Sequence, residues 1–524
     1  RGIPRLGLPR VWTSDATGGI RGHGTSTSFP CMLALAATWN RETVRETART
    51  IAHEGRAKGI SILLGPGVNI YRIPVCGRNF EYAGEDPFLT GSLASAYIAG
   101  AREGGMLTTI KHFACNNSEY DRHKINSELN ERTLREIYLR AFEIAVKGGK
   151  ATGVMSSYNP VNGVYASANR HLLTEILREE WGFDGFVMSD WNSLYDSEGP
   201  VKSGLDIEMP FGKWLSPRNL KPLLDSARIT WREIDAMILR LLRVFFREGI
   251  YDRPTIDPGK PEYGAEHTRA ALRAAREGIV LLRNEGALLP LFSFGAKSGP
   301  AAAGTTAGGA EAGAAEAARA GKDTAPEAGG SASRTTVIVI GEQALKTETG
   351  GGGSSHLIEI SGAVSILDGM RACAPAGVDI VYLSARKNRL SAAERRAAEG
   401  AAAVVCCVGY SHYDESESYD REWELPRNQA GLIRECAAAN PNTVVVLVGG
   451  GGVETASWLP RVPAFLHTFF LGQTVGQAVG EVIFGAVNPS GKLPITMERE
   501  LADIPAMRDY PRDFARVSLR RVAI

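Results

Sequence analysis

The sequence predicts an α/β chain that opens with a (β/α)8-type barrel and continues into a second α/β unit. Three observations carry that expectation. Short apolar runs alternate with helical patterns through the first half, as in strand, helix, strand units around a parallel sheet. Each of those runs ends in a polar cluster, and a barrel gathers all strand ends on one face. A Pro/Gly-rich break near 251–263 then separates this half from a second set of apolar runs. The competing arrangement for the first half is an open doubly wound sheet, which would collect its polar groups at a switch point.

In chain order, the runs 60–64, 106–112, 152–156 and 185–189 read as the first strands. Between them, 131–149 carries Leu134, Ile137, Tyr138, Ala141, Phe142 and Ala145 at helical spacing and stops at Gly148-Gly149. The polar clusters that end the strands are 69–81, 111–122, Tyr158-Asn159 and Asp190-Trp191. After the break, strands are expected at 337–341, 379–383, 403–409, 443–449 and 464–470, with a helix near 429–439. The resulting partition is a barrel over 1–250, a linker over 251–275, an α/β unit over 276–500 and a C-terminal tail over 501–524. Within the second unit, 297–333 is dominated by Ala, Gly, Thr and Glu with almost nothing large to bury, so it reads as a disordered insert.

At 524 residues the chain has room for two or three compact domains. A net charge of +1 with 22% charged residues leaves no field to steer it toward nucleic acid, so a small neutral partner is expected. The longest apolar runs fall well short of the roughly 20 residues of a membrane helix. The N-terminal text shows no charged-then-apolar leader. Seven scattered cysteines, Cys31, Cys76, Cys115, Cys373, Cys406, Cys407 and Cys436, form neither a disulfide framework nor a Cys-x-x-Cys pair. They read as small apolar residues, which favours a reducing, cytoplasmic setting.

The sharpest chemical signal is Gly185-Phe186-Val187-Met188-Ser189-Asp190-Trp191. An apolar strand delivers a carboxylate beside an indole at its C-terminal end, where an ionised Asp can attack a sugar and a Trp can stack on it. Taken alone, the Asp reads equally well as a helix N-cap. Lys111-His112 ends another strand, and Arg78 and Glu81 sit in the polar segment 76–87. Such groups bind hydroxyls by charge-assisted hydrogen bonds, although singly each is more often a structural ion pair. The run Asp414-Glu415-Ser416-Glu417-Ser418-Tyr419-Asp420-Arg421 reads first as a solvated acidic loop, but it directly follows the strand at 403–409, which aims it at one end of the sheet and makes a general acid possible. The glycine runs at 350–353 and 449–452 fit no phosphate loop and read as tight turns between domains or around a ligand. No zinc, EF-hand or Ser-elbow spacing occurs, so neither a metal nor a cofactor is expected.

Taken together, these segments resemble glycoside hydrolase family 3, in its β-glucosidase-like branch. The resemblance runs in order through Gly65-Pro66-Gly67-Val68-Asn69-Ile70, the segment 77–87, Lys111-His112-Phe113, Met155-Ser156-Ser157-Tyr158-Asn159, the segment 181–191, Leu281-Leu282-Arg283-Asn284-Glu285, and Asn488-Pro489-Ser490-Gly491-Lys492-Leu493-Pro494. It implies a (β/α)8-type barrel followed by an α/β sandwich. It further implies a retaining exo-β-glycosidase that removes terminal non-reducing β-D-glucosyl residues by double displacement, with Asp190 as nucleophile and Glu417 as acid/base. Asp15, Arg78, Lys111, His112, Arg122, Tyr158 and Trp191 would line the pocket for the terminal sugar. The sequence departs from the family pattern at Asp15-Ala16-Thr17, where Asp-Gly-Pro is usual, and at Ser418, where Gly usually follows the acid, leaving Glu415 as the alternative acid/base. The implied substrate is a neutral β-glycoside or oligosaccharide, with no nucleic acid or membrane partner. A β-xylosidase of the same family and an inactive sugar-binding homologue are the alternatives. In the retaining reaction Glu417 is expected to hold its proton more tightly than Asp190.

Overall fold

The structure, a computed structural model, describes residues 2–15, 18–292, 334–508, 510 and 521–523. The expected insert at 297–333 lies outside the described residues, as do Ala16 and Thr17.

The first half forms a six-stranded, all-parallel sheet of Trp12–Asp15, Ile60–Leu64, Leu107–Phe113, Gly153–Ser156, Phe186–Trp191 and Ile207–Met209. The strands lie side by side in chain order. A doubly wound sheet must reverse that order at its switch point, so the arrangement is barrel-like. Both faces are apolar, for a physical reason visible in the packing. Leu63 meets Val44, Ala48, Leu93 and Tyr97 of the helices Arg41–Ala57 and Pro87–Glu103. Ile62, Leu64, Met155, Phe186 and Met188 point the other way, onto Val244 and Phe245 of the helix Trp231–Arg247. The barrel is thus a curled half-barrel of six described strands, with the helix Trp231–Arg247 packed on one face.

The second half is a mixed sheet in the order Val280–Asn284, Ala464–His467, Thr443–Val448, Ala403–Gly409, Thr335–Ile340, Val378–Leu383. Only Val280–Asn284 runs antiparallel, at one edge. Its central strands are buried on both faces. Cys407, Val446 and Leu466 pack with the helices Ala265–Gly278, Ile366–Cys373 and Val475–Ile483, while Cys406, Val445 and Leu447 pack with Gln429–Ala439. The adjacent cysteines therefore serve opposite cores, as the period of a strand requires.

Two features join the halves. Ala265–Gly278, within and beyond the segment 251–275 expected as a crossover, is a helix whose residues contribute to cores of both halves. Part of the expected tail packs as well. Ile504, Ala506, Met507 and Tyr510 are buried with Ile73, Val75 and Ile125 of the first half and Trp423 of the second.

Candidate active site

Asp190 leaves the C-terminal end of a buried strand, where the register of the sheet shifts between Met188 and Trp191. A second irregularity, between Ile110 and Phe113, lies where Lys111 and His112 emerge. Such shifts re-aim side chains, and neighbours that a regular strand would send to opposite faces both line one cavity. The main-chain N–H of Trp191 donates to Asp190 Oδ1 at 2.7 Å. Asp190 Oδ2 is buried and has no hydrogen-bond partner among the described residues; His112 Nε2 stands 3.6 Å away. Lys111 Nζ donates to Asp15 Oδ1 at 2.8 Å.

The other carboxylate comes from the second half. Gly77 permits the approach, because a Cβ there would lie 2.1 Å from the main-chain oxygens of both Ser416 and Tyr419. Gly353, at φ +97°, does the same for the side chain, because its Cβ would fall 2.3 Å from Glu417 Cβ. Glu417 Oε1 accepts from Arg122 at 2.8 Å and lies 3.7 Å from Arg78, while Oε2 accepts the N–H of Ser354 at 2.8 Å. Arg78 is itself clamped bidentately by Glu81 at 2.8 Å on both arms, and Arg122 lies 4.0 Å over the Tyr158 ring. Glu415 points elsewhere. It is fully buried, accepts the Gly450 N–H at 2.8 Å, sits 3.4 Å from Arg421, and does not line the cavity.

Protonation follows these neighbours. Burial pushes the Asp190 carboxyl up to about 6, a rise that nearby Glu417 reinforces and Arg78 and Lys111 oppose. For Glu417 burial also favours the neutral form, but Arg78, Arg122 and the Ser354 N–H outweigh it and hold the carboxyl well below its usual range. The expectation that Glu417 holds its proton more tightly than Asp190 is thus corrected: two guanidiniums face Glu417. Burial, Arg78, Lys111 and Arg122 drive His112 far down, so its approach to Asp190 is that of a neutral ring and not an ion pair. Burial would discharge Lys111, but Asp15 and Glu81 keep it charged.

The nine residues that the family resemblance placed at the site line a single cavity of about 940 Å³, whereas Glu81 and Glu415, also named from the sequence, do not line it. The same cavity takes in side chains the sequence did not flag. Arg21 lies six residues past Asp15, and Ser354 directly follows the glycine run at 350–353. His356, His412 and Tyr413 complete its mouth. The signals available for this side were the glycine run, read as a tight turn between domains or around a ligand, and the acidic run that begins directly after Tyr413.

Residues 3–244 match the N terminal domain model of glycosyl hydrolase family 3, and residues 331–521 match the C-terminal domain model. The chain belongs to glycosyl hydrolase family 3. Within that family it is 34% identical to a thermostable beta-glucosidase B of Acetivibrio thermocellus, over 99% of this chain and 65% of the relative. It is 33% identical to an exo-alpha-(1->6)-L-arabinopyranosidase of Bifidobacterium longum, over 98% of this chain and 65% of the relative. The chain thus spans 65% of the length of these two curated relatives. The structure of beta-glucosidase 3B from Thermotoga neapolitana in complex with glucose superposes with a TM-score of 0.84 at 30% identity, over 100% of this chain and 73% of that one. That neighbour superposes over both halves of this chain, and both family models match in order, so the barrel-plus-sandwich class stands.

Proposed function

We propose that this chain is a retaining exo-acting β-glycosidase. The observation that carries the reading is the unpartnered, buried Asp190 Oδ2, which opens on the same cavity as Glu417. In the first step Asp190 attacks the anomeric carbon as the glycosidic bond breaks, and the departing oxygen takes a proton from Glu417. In the second, Glu417 removes a proton from water, which attacks that carbon and releases Asp190. No further group is needed to balance either step.

Charged and polar side chains suit the hydroxyls of one terminal ring. Asp15 and Lys111 form a donor and acceptor pair at the inner end, and Arg78 and Arg122 reach toward the reacting centre. Both arginines bind Glu417 when they are not bound to sugar. We therefore assign them a second role, in which hydroxyls that compete for these guanidiniums loosen their hold on Glu417 and let it take up the proton that the first step consumes.

The beta-glucosidase relatives support glucose as the terminal sugar, and the arabinopyranosidase relative supports a second reading, α-L-arabinopyranose. Hydrolysis of 4-nitrophenyl β-D-glucoside, β-D-xyloside and α-L-arabinopyranoside ranks the sugars, and proton NMR of the first-formed anomer tests retention. Labelling with 2-deoxy-2-fluoro glycosides followed by peptide mapping is expected to mark Asp190. A label elsewhere overturns the nucleophile, and an unreactive protein that still binds glucose makes it a sugar-binding homologue.

A further inference from the structure

The charges around Glu417 extend beyond its two arginines. Behind them lies Glu119, fully buried on the loop that follows the strand Leu107–Phe113. It does not line the cavity, so any effect it has on a bound sugar passes through other residues. Its Oε2 accepts from Arg122 Nη1 at 2.8 Å and from the N–H of Ser418 at 2.7 Å, and its Oε1 accepts from Asn116 Nδ2 at 3.5 Å. Arg122 Nη1 also donates to Glu417 Oε1 at 2.8 Å, so one nitrogen is divided between two carboxylates from different halves of the molecule.

Ser418, directly after the acid, has φ +83°, in the left-handed region that favours glycine. A serine stays there only where its surroundings hold it, and the bond from its N–H to Glu119 is such a hold. The contact is returned, because the Glu119 N–H donates to Asp420 Oδ1 at 2.9 Å and the Tyr510 hydroxyl donates to Asp420 Oδ2. Glu119 therefore grips the acid loop through both its side chain and its main chain. Its titratable neighbours are Arg78, Arg122, Glu417, Asp420, Cys76 and Tyr82. Burial pushes Asp420 up to about 8 and Cys76 and Tyr82 far above their ordinary values, so these three carry little charge near pH 7. Burial also raises Glu119, against Arg78, Arg122 and the Ser418 N–H. Glu417 faces the same two guanidiniums, with Asp190 and Tyr158 lining the same cavity.

We infer that Glu119 is a positioning residue for the acid/base: it holds Ser418 in its left-handed turn, and it takes a share of Arg122 that would otherwise fall wholly to Glu417. This rests on the glycosidase reading, in which Glu417 gives its proton to the leaving group. The two effects have separate signatures. Loss of the hold on Ser418 displaces Glu417, which matters only where the leaving group needs a proton. Loss of the negative charge hands Arg122 to Glu417 alone, so Glu417 gives up its proton at lower pH.

Two substitutions separate these effects. Glu119→Gln keeps the shape and an acceptor for the Ser418 N–H but drops the charge. It should move the alkaline limb of the kcat/KM profile down by on the order of half a unit, the reverse of what loss of Arg122 would do. Glu119→Ala removes charge and acceptor together. It should cost roughly ten- to a hundredfold in kcat with alkyl glucosides and less than about threefold with 2,4-dinitrophenyl glucoside. In a Ser418→Gly background, where the turn needs no outside hold, the Glu119→Ala cost with alkyl glucosides should shrink by about threefold or more. A limb that stays in place in Glu119→Gln, or equal losses for both leaving groups in Glu119→Ala, would overturn the positioning role and leave a buried structural ion pair. Where Glu119→Ala does not fold, the limb of Glu119→Gln decides alone. Hydrolysis of β-glucosyl fluoride by the wild type tests the glycosidase reading separately, because fluoride departs with little help from an acid. A wild type that leaves the fluoride intact removes the reaction and the role of Glu119 with it. One that hydrolyses it while the variants show neither signature keeps the reaction and loses only that role.

Discussion

Asp190 and Glu417 face one cavity from the two halves of the molecule, and their surroundings push them in opposite directions. Asp190 stands at the end of a buried strand, with one oxygen held by a main-chain N–H and the other bare. Glu417 sits on a loop, where both oxygens are held and two guanidiniums face it. Both are withdrawn from water, so burial alone raises both. The neighbours decide the outcome: Asp190 ends at about 6, and Glu417 ends well below its usual range. Backbone topology explains where a carboxylate is, and only the charges brought to it by the rest of the fold explain what it does with a proton.

The strongest way to break this comparison is to remove one side of it. Asp190→Ala is expected to lower kcat roughly 10⁴- to 10⁶-fold, because no other carboxylate can form the covalent ester. Added azide should partly restore turnover by attack from the vacated face, giving the α-glycosyl azide. Substantial residual hydrolysis without azide would place the nucleophile elsewhere. Glu417→Gln should cost roughly 10²- to 10⁴-fold, but only where the leaving group needs a proton. Alkyl glucosides should lose the most and 2,4-dinitrophenyl glucoside the least. If Glu415→Gln showed that leaving-group dependence and Glu417→Gln did not, the roles of the two residues would be exchanged.

The two sides also differed in how well the sequence exposed them. The strands Ile60–Leu64 and Ala403–Gly409 fall where their apolar patterns placed them, because strands buried on both faces write continuous apolar runs, and the helix Gln429–Ala439 falls where it was expected with one face buried. Trp12–Asp15 was missed. It is a four-residue edge strand, mostly polar and partly exposed, and it carries Asp15 into the cavity without any periodic signal. Strand-end chemistry such as Asp190 or Lys111-His112 is legible because strand and side chain are neighbours in sequence. The protonation of Glu417 was not. Its cation Arg122 lies 295 residues away, and no local pattern records that contact. His356 and His412 were equally hidden, since no local pattern brings two residues 56 positions apart to one cavity.

Smaller changes sharpen the contrast without deleting either carboxylate. Gly353→Ala forces a Cβ to 2.3 Å from Glu417 Cβ at a backbone angle that suits glycine. A displaced acid should cost on the order of 10²-fold in kcat with alkyl glucosides. Labelling of Asp190 by a 2-fluoro glycoside with a good leaving group should survive, and loss of both would show a general collapse of the pocket instead. Arg122→Gln removes one of the two cations that hold Glu417 ionised. The acid should then keep its proton to higher pH, moving the alkaline limb of the kcat/KM profile upward by on the order of one unit. A limb that stays in place, with only KM raised, would confine Arg122 to sugar binding.

The mildest test reads stability instead of rate, and it gives the two carboxyls opposite signs. Asp190 binds its proton more tightly folded than unfolded, so stability falls as pH rises from about 4 to about 6 and the penalty is complete at neutral pH. Asp190→Asn should therefore raise Tm at pH 7.5, with a gain of ~3 kcal/mol at most from the shift between 3.8 and about 6, and show little gain at pH 4. Glu417 is depressed when folded, so its contribution is present above the unfolded carboxyl range and lost as pH falls toward its low folded value. Glu417→Gln leaves Arg122 and Arg78 facing a neutral amide and should lower Tm at pH 7.5, less so in acid. Calorimetric Tm values of the two variants and the wild type at pH 4 and pH 7.5 decide the matter. Shifts of the same sign at pH 7.5 would mean that the two sites are not electrostatic opposites, and that burial alone governs both.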